Sequence, residues 1–175
     1  MDQATPTPNT TPVDPPWMAY ARTKRGIHEI VGDAVAPWIA HCFVLVHMAG
    51  AQDDTTAWCS AHMNGIMADT GRHYTESAAA RSWTRFAKYL LKLTKPVHGC
   101  ILVFSRPPDP EHGHVTLYDA VLQPQAPAGQ LPCYGGNQHN EVCDAFYPEE
   151  RLIGCYWPAD YPLPEGAEVE TPVSV

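Results

Sequence analysis

The stretch Ala57-Trp58-Cys59-Ser60-Ala61-His62-Met63-Asn64-Gly65-Ile66-Met67, followed by Gly71, decides the fold. Met63, Ile66 and Met67 stand four, seven and eight residues after Cys59, which predicts a helix from Cys59 to Gly71. The polar lead-in Asp53-Asp54-Thr55-Thr56 puts Cys59 in the first helical turn. A thiol there meets the positive end of the helix dipole and backbone N–H groups without intrahelical partners. Both favour thiolate, so a lowered thiol pKa is expected. The same N–H groups can also receive a developing oxyanion.

Outward from this helix, the first half of the chain keeps a helical period. Pro16 opens a short helix over Trp17–Arg22 with Gly26 as its stop, and Pro37 opens another over Trp38–Met48, before Gly50. A fourth helix is expected over Ala79–Leu91. Trp83, Phe86, Ala87, Leu90 and Leu91 form its apolar stripe, and Ser77 is its N-cap. The second half changes to strands: Gly99–Ser105, ended by Pro107-Pro108, then His114–Val121, Glu141–Tyr147 and Arg151–Trp157, with a Pro/Gly connection at Gln123–Gly129. Helices first and an antiparallel sheet afterwards predict an α+β domain with the helices packed on the sheet.

Composition bounds the rest. The 175 residues suit one domain, 45% hydrophobic and 17% charged. Residues 1–16 carry five prolines and four threonines and read as a flexible arm; residues 158–175 carry four prolines and four acids and read as a tail outside the core. The folded unit is then 17–157. Lys and Arg number 11 against 19 acids, a net charge of −8, which opposes sequence-independent binding to nucleic acid or an anionic membrane. The apolar runs Cys42–Met48 and Cys100–Phe104 are far short of the ~20 residues of a bilayer span. The start MDQATPTPNTTPVDPP has no basic n-region and no apolar h-region, so no secretory leader is expected. No CxxC pair occurs among the six cysteines. Cys42, Cys100 and Cys155 read as buried hydrophobes, whereas Cys133 and Cys143 flank a Gly-Gly turn where a bridge is open.

A cysteine nucleophile needs a base, and Gly113-His114-Val115 offers one at the start of a strand. The base needs an acceptor on its other ring nitrogen. Gly135-Gly136-Asn137-Gln138 supplies a carboxamide on the next strand, where antiparallel pairing would bring Asn137 beside His114, with Gln138 as the nearest substitute.

With these residues in this order, joined by Ser-Ala-Ala-Ala-Arg-Ser-Trp at 77–83 and Gly-Cys-Ile-Leu-Val-Phe-Ser-Arg at 99–106, the chain from Trp17 to Trp157 resembles the NlpC/CHAP-type papain-like peptidoglycan hydrolases, more narrowly their phage- and prophage-associated subgroup. The resemblance implies a papain-like fold with the catalytic Cys at a helix N-terminus. It implies cleavage of amide bonds in the peptide part of the bacterial cell wall, as endopeptidase or amidase, without a cofactor. Carried over, Cys59 is the nucleophile, His114 the general base and acid, and Asn137 the orienting residue. Ala57 stands where the subgroup usually has Pro, and His62 where it usually has an aromatic residue. Expected substrate contacts are Trp58, His62, Gln138 and Asp54; an acid as near as Asp54 would also raise the thiol pKa.

The expected partners are peptidoglycan peptide stems, with a cognate immunity protein or a secretion or phage structural protein beside them. The expected site of action is the periplasm or wall of a target bacterium, reached as a delivered antibacterial effector or as a phage lysin. Competing readings are a packing role for Cys59, a turn role for Asn137, an inactive wall-binding or structural module, and a zinc amidase. The zinc reading would use the H-x-H pair His112 and His114 with Cys59, His62 or Asp54. His28, His41, His47 and His73 read as surface or packing residues, and Trp83 and Phe86 as core.

Overall fold

A computed structural model describes residues 11–30, 35–50 and 56–171. Three helices come first: α1 (Pro16–Arg22), α2 (Pro37–Leu45) and α3 (Cys59–Asp69). Six strands follow: β1 (Leu90–Leu93), β2 (Ile101–Arg106), β3 (Asp109–Tyr118), β4 (Gln130–Gln138), β5 (Glu141–Pro148) and β6 (Leu152–Pro158). They form one antiparallel sheet in the order β1-β6-β2-β3-β4-β5. The protein is thus α+β, with its helices ahead of an antiparallel sheet.

Each helix begins as the sequence dictates. Pro16 and Pro37 occupy the first helical positions of α1 and α2, where a missing N–H costs nothing. Helix α1 buries Trp17, Met18 and Ala21, and the Trp17 indole N–H donates to the Gly99 carbonyl at 2.7 Å. Helix α2 ends at Leu45, three residues before the expected Met48. His47 adopts a left-handed φ of 60°, and its N–H and that of Met48 donate back to Val44 and Phe43. A histidine therefore closes the helix in the position usually taken by glycine. Helix α3 packs against α1, α2, β3 and β4, and every residue from Cys59 to Met67 is buried.

The expected fourth helix is not formed. Ala80–Arg85 is a 3-10 segment, and Leu90 and Leu91 enter β1, where they pair with Pro158 and Trp157 of β6. Trp83 is buried at the centre of the segment, and its indole N–H donates to Ser60 Oγ of α3 at 3.1 Å; Phe86 packs on the core from a half-buried position. Ser77 closes a local turn by accepting the Ala79 N–H instead of capping a helix. The leucines complete the sheet edge beside β6.

The core runs in sequence from Trp17 to Trp157. The described parts of both flanks are docked on it. Asp14 pairs with Arg22 and His98, each at 2.7 Å, Tyr161 packs edge-on against Trp17, and Glu170 joins β1 through Lys92. All six cysteines are free, so Cys133 and Cys143, on neighbouring strands, are not bridged. Among the described residues no helix is long and apolar enough to cross a membrane.

Candidate active site

Cys59 is the first residue of α3, and His62 makes the helix's first return hydrogen bond, from its N–H to the Trp58 carbonyl at 2.8 Å. The N–H groups of Cys59, Ser60 and Ala61 thus precede the intrahelical ladder. The Cys59 thiol lies against the backbone of Val115 on β3, next to His114, and the residue is 4% exposed. Burial pushes the thiol pKa up. The N–H groups of Val115, Ser60 and Cys59 and the charge of Arg106 pull it down, but less. The lowered pKa expected from the helix terminus is therefore reversed: in the free protein desolvation outweighs the dipole.

His114 projects from β3 and is 2% exposed. Burial lowers its pKa to about 4; the hydrogen bond to the Gln138 side-chain oxygen raises it and the charge of Arg106 lowers it further. Its tautomer follows from its partner. The Gln138 side-chain N–H donates to the Cys143 carbonyl, so Gln138 Oε1 faces inward, where it accepts Thr116 Oγ1 at 3.0 Å. His114 Nε2 sits 3.3 Å from the same oxygen and must carry the ring proton. Nδ1 is then a bare lone pair, buried and, among the described residues, without a hydrogen-bond partner. Tyr147 stacks on the imidazole with ring centroids 4.7 Å apart and also stacks on Phe104, which pairs with His114 across β2 and β3.

The hydrogen bond foreseen for Asn137 belongs to Gln138. The ladder between β3 and β4 consists of Leu117 with Tyr134 and Tyr118 with Cys133, and β4 carries an irregularity against β5 between Gly135 and Gln138. Asn137 sits inside it with φ 57°, and among the described residues it makes no hydrogen bond to His114. A bulge shifts side-chain alternation by one residue, so Gln138 points at the histidine and Asn137 stands half-buried at the edge.

Three expected substrate contacts are internal. Trp58 is 1% exposed and its indole N–H donates to Glu29 Oε1 at 2.6 Å. His62 is 1% exposed, accepts the Trp38 indole N–H on Nδ1 at 2.9 Å, and so carries its proton on Nε2, which has no partner among the described residues. Burial, then the charges of Lys24 and His114, lower its pKa to about 3. Gln138 is spent on His114. Asp54 lies outside the described residues. The close approach of α3 to the sheet requires Gly136, where a Cβ would stand 2.5 Å from both His62 Cγ and the Trp58 ring.

Instead, an open cleft of about 400 Å³ is bordered by Ala57, Arg106, Asn137, His139, Asn140 and Tyr147. Neither Cys59 nor His114 lines it, but Ala57 stands two residues before Cys59 and Tyr147 stacks on His114. Sequence reasoning missed Thr116, Tyr147 and Arg106. Only Thr116 left a signal, two residues beyond His114 on the same strand face. Of the H-x-H pair, His114 is buried, whereas His112 is exposed and bonded to Asp109; among the described residues no group of three His, Cys, Asp or Glu is arranged to hold a metal ion.

The site thus sets a thiol at a helix N-terminus next to an imidazole oriented by Gln138, with first-turn N–H groups beside the thiol; among the described residues no hydrogen bond joins the thiol to Nδ1. Compared with known proteins, the chain matches no family model, no curated protein and no solved structure.

Proposed function

We propose that the protein is a papain-like cysteine hydrolase of the NlpC/CHAP type, cleaving an amide bond in the peptide part of peptidoglycan. The observation that carries the reading is His114, whose Nε2–H is held by Gln138 and whose bare Nδ1 is buried next to the Cys59 strand contact. Because burial holds both groups neutral, His114 acts as a general base at the moment of attack rather than as half of a resting ion pair. Cys59 Sγ adds to the scissile carbonyl as its proton passes to Nδ1, and the oxyanion faces the N–H groups of the first helical turn. The imidazolium then protonates the leaving amine, giving a thioester on Cys59. Water, deprotonated by the same Nδ1, releases the acid and restores the thiol. Gln138 takes the orienting role that the family resemblance gives to Asn137. As a wall hydrolase the protein would act in the periplasm or wall of a target bacterium, as an effector or lysin.

The burial of Cys59 and His114 favours a second reading, a module that binds a peptide stem without cutting it. Purified sacculi separate the two. Wild type is expected to release soluble fragments and Cys59→Ala none, with an unchanged melting temperature. Release by neither, or equally by both, would overturn the hydrolase reading.

A further inference from the structure

Arg106 ends β2 at the mouth of the cleft, two residues beyond Phe104, the strand partner of His114. At ~3.3 Å per residue its backbone lies only about 7 Å along the strand from that pair. The pairing of β2 with β3 shifts register between Ser105 and Arg106, a device that re-aims a side chain. Its strand partner is Asp109, a natural ion-pair mate, but that carboxylate is taken up by the His112 ring and by the N–H groups of Glu111 and His112. Arg106 is exposed, and among the described residues its side chain makes no salt bridge, hydrogen bond or ring contact. It is nonetheless close enough to Cys59, His114 and Tyr147 for its charge to pull on all three. Of the cleft-lining residues described, it is the only one that is always charged.

In a chain with 19 acids and 11 Lys and Arg, a guanidinium left unpaired beside a buried thiol and imidazole calls for an anion from outside. A guanidinium fork matches a carboxylate in two parallel hydrogen bonds. We propose that Arg106 is a specificity-determining subsite that binds a free carboxylate of the substrate peptide within a residue or two of the scissile amide. The inference rests on the hydrolase reading and adds to it a substrate class: stems whose carboxylate is free, against stems in which it is amidated.

Three carboxylates of a stem could fill the subsite: the α-carboxylate of D-glutamate, the side-chain carboxylate of meso-diaminopimelate and the C-terminal carboxylate of D-alanine. The probes are the tetrapeptide L-Ala-γ-D-Glu-meso-diaminopimelyl-D-Ala and three derivatives, one amidated at each position. Binding is measured by calorimetry to full-length Cys59→Ala protein, in the Arg106 background and with Arg106→Gln added. Amidation at one position is expected to weaken binding about tenfold or more, as for a lost charge-assisted pair. Arg106→Gln should bind free and amidated forms alike, and Arg106→Lys should restore part of the preference. Equal binding of all four peptides to the Arg106 protein would overturn the subsite. So would a loss in Arg106→Gln that falls equally on every peptide, the mark of an electrostatic or structural role. Those results leave sacculus cleavage by the wild type intact, whereas failure of the hydrolase reading appears as no cleavage at all.

Discussion

Two buried neutral imidazoles make stability fall in mild acid. His114 and His62 have folded pKa values of about 4 and about 3, against an ordinary 6.5 in the unfolded chain. Between those limits the unfolded state binds more protons, so the stability is fully present above pH 6.5 and is lost as pH falls toward each folded value. At ~1.4 kcal/mol per pH unit the interval contributes roughly 3 kcal/mol for His114 and roughly 5 for His62. These are upper figures, since slight opening would hydrate either ring. Even half of the sum, about 4 kcal/mol, comes close to the lower end of the ~5–15 kcal/mol total stability of an ordinary domain. The assay is urea unfolding followed by tryptophan fluorescence at pH 7, 6, 5 and 4.5. Stability should fall by about 2–3 kcal/mol per pH unit below pH 6. His62→Asn and His114→Asn should each remove about half of that slope, whatever their effect at pH 7. A flat profile from pH 6.5 to 4.5, or a slope that neither variant changes, would refute the neutral buried pair.

Other outcomes are open to direct test. Gln138→Ala should lower kcat on sacculi about 10²-fold or more, in the range of general-base contributions, while Asn137→Ala should cost under tenfold; the reverse order would restore Asn137 to the orienting role. Alkylation of Cys59 by iodoacetamide should accelerate with pH through and above 9, because burial raises the thiol; a rate plateau below pH 7, followed by peptide mapping, would reveal a resting thiolate instead. Gly136→Ala should destabilise the fold by about 2 kcal/mol or more, since its methyl meets His62 and Trp58 at 2.5 Å; a change below ~0.5 kcal/mol in urea unfolding would mean that α3 stands further from β4.

Local signals in the sequence carried the frame. Pro16, Pro37 and the Cys59-Met63-Ile66-Met67 spacing located three helices, and β-branched and aromatic runs located β2, β5, β6 and the second half of β3, whose expected end at Val121 instead enters a 3-10 turn from Ala120. The failures came where tertiary partners choose between local options. Leu90 and Leu91 continue a helical stripe in sequence, yet β6 offers them a sheet edge. Asn137 and Gln138 are adjacent carboxamides, and only the irregularity in β4 decides which faces His114. Trp58 and His62 looked like cleft residues because they neighbour Cys59 along the chain. In space Gly136 lets α3 settle against β4, and that contact buries both. The thiol pKa shows the same limit: a helix terminus is visible in sequence, whereas the depth at which it is buried is not.

The most direct measurement is an acid quench of the full-length protein during turnover of sacculus-derived peptides, followed by mass spectrometry of its tryptic fragments. The fragment containing Cys59 is expected to gain the mass of a stem-peptide acyl group, bound as a thioester and lost on hydroxylamine treatment, and Cys59→Ala should carry none. Fragment release without any such adduct, or with full activity in Cys59→Ala, would contradict the account.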